Sequence, residues 1–378
     1  MEQRRFSGNS HWYHETQSTL TSQAAPLVPE AADIEDRFLL GLASACTGEL
    51  QETLFLAQPA LLASREMYDV LLPRQVTTSL THTLTLYDRL STALTVAQVT
   101  GIQRLCNHYA ARLNPLPGPD SSRESNHRLT QITEYARQLA SQPTLITPAA
   151  LMRLDEVGLT APDIITFSQI IGFVGYQARV VAGIHALLAL PVCWIPGVTI
   201  PADADPFLPG EHWQPQLPPV ELRYASARQL EALTFCQPQA VLKESAWLLA
   251  HDASALYGWG RLFGTLEASL DTPEGALAAA VAARINGSAA CFYRYPAGAL
   301  RDALQQGTDR AMAAANDKER AVIQAAAQLT RSPERVNTAQ IQPLKTQAFT
   351  PGQMLNIFQS TALASWNNRL MQSLGTTA

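Results

Sequence analysis

Charge is scarce in this chain: Asp, Glu, Lys and Arg make up 16% of its 378 residues, against about a quarter in ordinary globular proteins. The net charge of −5 offers no basic face to displace counterions from a phosphate backbone, so no nucleic-acid partner is expected. Cysteine is sparse too, with five residues at positions 46, 106, 193, 236 and 291 and no pair at C-x-x-C spacing. That pattern excludes a zinc knuckle or a disulfide framework and fits reduced thiols in the cytoplasm. Neither a Gly-rich phosphate loop, a G-x-S-x-G elbow nor an H-E-x-x-H helix occurs, so no nucleotide cofactor, serine hydrolase or zinc protease is expected, and no cofactor is assigned. His11, Trp12, Tyr13 and His14 cluster near the start, but without an acidic or cysteine partner at ligand spacing they make no metal site.

An unbroken apolar run is also missing. The most apolar stretch, 170–195, is interrupted by Gln177, Arg179, His185 and Pro191, whereas a membrane-spanning helix needs about 20 predominantly apolar residues. A buried helix is expected there, and no membrane contact. The opening MEQRRFSGNSHWYHE has two arginines but no apolar core behind them, which does not read as a secretory leader.

What is present is helical. The chain is 47% hydrophobic and long enough for about two domains of ordinary size. Residues 1–35 read as a polar arm. From Asp36 onward apolar residues recur three and four apart, as in LTLYDRLSTALTVAQVTG, while strand-like alternation is rare. Between 191 and 222 lie eight of the 24 prolines, a density no helix tolerates, because proline lacks the N–H and clashes with the preceding turn. This segment reads as a linker.

On either side of it the pattern repeats. Residues 126–187 lie on 316–377 without a gap, at an offset of 190, with ten identities that include Thr160/Thr350, Gln169/Gln359 and Arg179/Arg369. The apolar register agrees: Leu151 with Ile341, Phe167 with Ile357, Phe173 with Leu363, Tyr176 with Trp366. Thr160-x-x-Asp163 and Thr350-x-x-Gln353 both predict capping boxes, and Gly101 and Gly287 both predict glycine helix stops. Pro273, after Thr272, suits a first helical turn. The reading is all-α: a first unit over 36–190, a linker over 191–222 and a second unit over 223–378.

The second unit, in AAAVAARINGSAACFYRYPAGAL and the segment from Asn316 onward, resembles the carboxymuconolactone decarboxylase and alkylhydroperoxidase D-like superfamily, most of all its tandem "peroxidase-related" bacterial members. PDIITFSQIIGFVGYQARVVAG resembles their divergent first copy, and LLAHDASAL also matches their pattern. The resemblance covers most of 36–378. It implies two tandem all-helical units and assembly into closed homo-oligomers, here a dimer or trimer.

The family's peroxidase chemistry uses C-x-x-C at a helix start, a His four residues after the second Cys, and a Glu in the preceding helix. Carried onto this chain, the first Cys position is Ser288, the second Cys291, the His position Tyr295 and the Glu position Ala276. One cysteine survives. In the first unit Leu105 falls opposite Cys291 and Cys106 is one residue out of register, so that copy reads as non-catalytic.

Apart from the family, Ser288 as a cap would set Cys291 in a first helical turn. There the unpaired N–H groups and a neighbouring Arg294 would lower the thiol pKa. The competing reading is a small hydrophobe in a core. Tyr293 and Tyr295 could donate hydrogen bonds beside the thiol, and His251, before Asp252, could supply a base. Trp366, Asn367, Asn368 and Arg369 on the last long helix could line the pocket, or Arg369 could be a paired structural cation. Phe358 and Trp366 are expected to leave an apolar face open for a second copy. Two functions follow: a thiol-dependent, peroxidase-like oxidoreductase taking a small oxidant or electrophile and an external thiol reductant, or a catalytically degenerate scaffold of the same fold that binds a small molecule or partner.

Overall fold

The computed structural model describes residues 34–192, 194, 200–205 and 212–377. The expected arm, apart from its last two residues, lies outside them, as do the His11–His14 cluster and Cys193. The first half carries α1 (Glu49–Leu56), α2 (Gln58–Leu71), α3 (Leu86–Thr100), α4 (Gln103–Leu113), α5 (Arg123–Ser141), α6 (Pro148–Glu156) and α7 (Ala161–Leu187). The second carries α8 (Ala227–Cys236), α9 (Ala246–Leu249), α10 (Ala253–Leu270), α11 (Pro273–Asn286), α12 (Ala289–Phe292), α13 (Arg301–Gln306), α14 (Thr308–Ala314), α15 (Asp317–Arg331), α16 (Thr338–Thr346) and α17 (Pro351–Leu374). The fold is all-α. Among the described residues the only strands are β1 (Trp213–Pro215) and β2 (Gly375–Thr377), paired antiparallel with Trp213 opposite Thr377.

The local signals act where they stand in the sequence. The Thr160 hydroxyl accepts from the Asp163 N–H while Asp163 accepts from the Thr160 N–H at 3.1 Å, which starts α7. Thr350 and Gln353 make the same reciprocal pair at the head of α17. Two orphan donors at each start are thereby satisfied. Asp163 also accepts from the Thr83 N–H and hydroxyl, both at 2.7 Å, and so pins the run-in to α3 onto α7. Gly101 and Gly287 end α3 and α11 at φ of 69° and 75°, a left-handed conformation that costs an L-residue its Cβ clearance.

The register of the two halves agrees with the offset in the sequence. Helices α5 and α15 end at Ser141 and Arg331, and short 3₁₀ turns follow at Pro143–Leu145 and Pro333–Arg335. Helices α6 and α16 then start at 148 and 338, and α7 and α17 at 161 and 351, so every step is 190 residues. Packing matches as well: α3 lies on α5 and α7 as α11 lies on α15 and α17.

Helices α7 and α17 cross at the centre as an antiparallel pair. Gly172 faces Trp366 and Gly183 faces Phe358, and a Cβ at either glycine would overlap the facing ring. The Trp366 indole donates to Gln169 Oε1 at 3.0 Å and lies 3.9 Å, centroid to centroid, from Trp259 of α10. Nearly every α7 residue from Asp163 to Ile184 is buried. It is one helix long and apolar enough to cross a membrane, and 89% of its most apolar window is buried inside the protein. Hydrophobic burial on all faces accounts for a composition without a polar stripe.

Phe358 and Trp366 do not form an open apolar face. They are 1% and 0% exposed, because α7 and α10 close over them.

In the described part of 191–222 no helix occurs before Leu222, where a 3₁₀ turn over Leu222–Tyr224 begins, and the segment is tied to the second half. Asp203 pairs with Arg331 and accepts from the Thr308 N–H at 2.8 Å. Arg284 donates to the Ala204 carbonyl at 2.6 Å. Further on, Trp213 covers Gly375 and donates to the Met371 carbonyl at 2.8 Å.

Candidate functional site

Cys291 sits in α12, a single turn directly after the Gly287 stop, with its thiol fully buried. Asn367 of α17 donates its Nδ2 to Sγ at 3.4 Å. Ser288 takes the N-cap position of α12 without making a side-chain cap bond; its hydroxyl is turned to the thiol instead. The expected fall in thiol pKa is therefore corrected. Burial raises it above the ordinary value, and Glu244 adds to the rise, against a downward pull from Arg294 and Ser288. A four-residue helix without a capped end has little dipole to offset desolvation of a thiolate.

Tyr295 is the nearest of the other expected residues. Its backbone N–H donates to the Cys291 carbonyl at 3.4 Å, and its hydroxyl is buried beside Asn367. Burial holds that phenol far above its usual range, so it carries a proton that it does not release. Arg294 is turned to the rim, donating to the Val241 carbonyl at 3.1 Å and to Glu244 at 3.2 Å. Tyr293 stacks edge-on against Phe292 and accepts through its carbonyl from Arg301.

The other expected pocket residues point elsewhere. His251 shares a hydrogen bond of 2.8 Å with the Pro218 carbonyl and has no part in the thiol cluster. Its neighbour Asp252 caps α10 through the Ala255 N–H at 3.0 Å. On α17 successive side chains diverge by about 100°, so four consecutive residues cannot share one pocket. Trp366 enters the α7–α10 core, Asn367 meets the thiol, and Arg369 donates to the Ala140 carbonyl at 2.7 Å. Asn368 is buried with both ends of its amide unpartnered.

The first half places a tyrosine and an amide at the matching positions around a leucine, but there the two are hydrogen-bonded, whereas the buried Tyr295 hydroxyl has no partner within hydrogen-bond distance among the described residues. Tyr109, eight residues after Gly101 as Tyr295 is after Gly287, donates to Gln177 Oε1 at 2.5 Å. Gln177 precedes Asn367 by 190 positions and donates in turn to the carbonyls of Arg37 and Phe38 at 2.9 and 2.8 Å. A second polar chain lies alongside: Arg112 donates to the Tyr68 hydroxyl at 2.6 Å, and that hydroxyl is 2.7 Å from His108 Nε2. Spacing alone singled out Asn367 only as one of four neighbours and passed over Glu244, Tyr109, Gln177 and His108.

Burial acts on the other described thiols in the same direction. Burial pushes Cys106 and Cys236 up to about 12 and raises Cys46. Among the described residues no three His, Cys, Asp or Glu side chains gather as a metal site. No protein-family model matches the chain, and no curated protein matches it.

Proposed function

We propose that this chain consists of two related alkylhydroperoxidase D-like helical units joined by its Pro-rich segment. We further propose that it acts as a catalytically degenerate binding scaffold. One observation carries the functional part: Cys291 is sealed, burial raises its thiol pKa, and the groups around it are the Asn367 amide, the Ser288 hydroxyl and the Tyr295 phenol, with Arg294 directed away to Glu244. Peroxide reduction needs an accessible thiolate, a proton donor that cycles and a thiol to resolve the sulfenic acid. Among the described residues none of the three stands beside Cys291. The 190-residue register of helix starts supports descent of both halves from one unit.

Thiol labelling tests this. With iodoacetamide in the native fold, Cys291 should react no faster than Cys236 and become labelled only on unfolding. Its raised pKa also fixes the sign of a pH effect. Stability from the neutral thiol is complete below the unfolded value of about 8.5 and is lost as pH rises toward the folded one. Rapid native labelling of Cys291 below that pH would support the oxidoreductase instead, with a small oxidant or electrophile and an external thiol as its partners. The Asn367 contact to Sγ and the pull of Arg294 are the observations on that side.

Free thiols suit a reducing compartment, and we place the protein in the cytoplasm. Assembly into a dimer or trimer belongs to the same proposal, with the contact moved from α17 to α1 and α2. There Phe55, Leu56 and Leu62 are 75%, 79% and 52% exposed. Mass photometry at sub-micromolar concentration should show a discrete multiple of 41.1 kDa. A single species at that mass ends the oligomer proposal.

A further inference from the structure

A cleft of about 360 Å³ opens beside the first half's polar chain, away from Cys291, between the start of α4 and the end of α7. Its described lining is Ile34, Leu40, Gln103, Arg104, Asn107, His108 and His185, so the polar wall holds a guanidinium, two imidazoles and two amides and, among the described residues, no carboxylate. Arg104 makes no ion pair among the described residues; it donates Nη1 to the Leu40 carbonyl at 2.9 Å, which fixes the guanidinium on the rim. Gln103 donates to Asn107 Oδ1 at 2.7 Å, which occupies the acceptor end of that amide and leaves its NH2 as a donor. The Arg104 charge reaches across to His185, whose pKa is lowered first by burial and then by that guanidinium. Ile34 and Leu40 supply the apolar part. The volume is at the small end of ligand pockets.

A concave wall of donors with a cation and, among the described residues, no counter-charge is complementary to an anion. The planar fork of arginine matches a carboxylate in particular. We infer that this cleft binds a small organic anion, a carboxylate with a short apolar tail, held between Arg104 and Asn107 with the tail against Leu40 and Ile34. The site is independent of Cys291 and stands or falls apart from the reading of the thiol.

Isothermal titration of the full chain with sodium butanoate, at constant ionic strength set by sodium chloride, is the test. Saturable binding with Kd of ~1 mM or tighter is expected. Arg104→Gln keeps a donor for the Leu40 carbonyl but removes the charge, and should weaken binding at least tenfold; Asn107→Ala should weaken it as well. Circular dichroism confirms that both variants fold. Inorganic phosphate, which lacks the tail, should bind more weakly. Absence of saturable butanoate binding overturns the inference, as does undiminished affinity in Arg104→Gln. Phosphate binding at least as tight as butanoate overturns the carboxylate assignment.

Discussion

Trp366→Ala should be the most damaging single truncation in the protein, lowering the unfolding free energy by about 4 kcal/mol. The indole fills the crossing of α7, α10 and α17. It stacks at 3.9 Å on Trp259 and lies 5.6 and 5.8 Å from Phe173 and Tyr176. Its N–H also satisfies Gln169 Oε1, whose other amide end is already unpartnered. Truncation therefore opens a cavity in a close-packed interior and leaves a buried amide with no partner, two penalties of the same sign. Gly172 reports on the same contact from the other helix, because a methyl there meets the indole directly. Gly172→Ala should cost ~1–3 kcal/mol in the native background and much less in Trp366→Leu, where the clash is gone. Urea denaturation of the four proteins gives the cycle. Equal costs of Gly172→Ala in both backgrounds would mean that this crossing is not packed as described.

The parts of the fold that could be read from sequence are those decided within four residues. Thr160 with Asp163, Thr350 with Gln353, and the glycines at 101 and 287 act through local backbone chemistry, and each ends or starts a helix as expected. The all-α class follows from periodicity in the same way. Site geometry depends on which face of one helix meets which turn of another, and that is not local. Ser288 illustrates it. Its spacing from Cys291 suits a cap, but α12 is a single turn buried under α17, and the hydroxyl turns toward the thiol. Placing Trp366, Asn367, Asn368 and Arg369 in one pocket overlooked the angular spread of a helix, and only Asn367 arrives there. The expected open face around Phe358 failed for a related reason. Aromatic residues on a long helix mark a contact, and the contact proved to be internal, with Gly183 of α7.

Arg179 and Arg369 offer the sharpest test of the two-unit proposal. Arg179 donates Nη1 to the Gly175 carbonyl at 2.9 Å and Nη2 to Thr330 at 2.7 Å. Arg369 donates Nη1 to the Ser365 carbonyl at 2.9 Å and Nη2 to Ala140 at 2.7 Å. Thr330 and Ala140 close α15 and α5, so each guanidinium crosses to the other half and satisfies a carbonyl at a helix C-terminus, where a cation is favoured. Donor and acceptor in one half are each 190 residues from their counterparts in the other. Desolvation works against both: burial lowers the pKa of Arg179 to about 10 and lowers that of Arg369 well below its ordinary value, with repulsion from Arg179 added. Two opposing effects must be weighed. Removing a guanidinium relieves a buried charge, yet it strands the Thr330 or Ala140 carbonyl at about 1–3 kcal/mol and leaves a void, the Gly175 and Ser365 carbonyls keeping their helical N–H partners. The second effect wins for alanine, and each single variant should lose about 3 kcal/mol. Arg179→Met and Arg369→Met, which fill the space, should lose less. If the halves are related by an internal two-fold, the two alanine variants should match within ~0.5 kcal/mol. A cost confined to one of them would mean that the crossed arginines are not equivalent, and the two-unit proposal would lose its main energetic support.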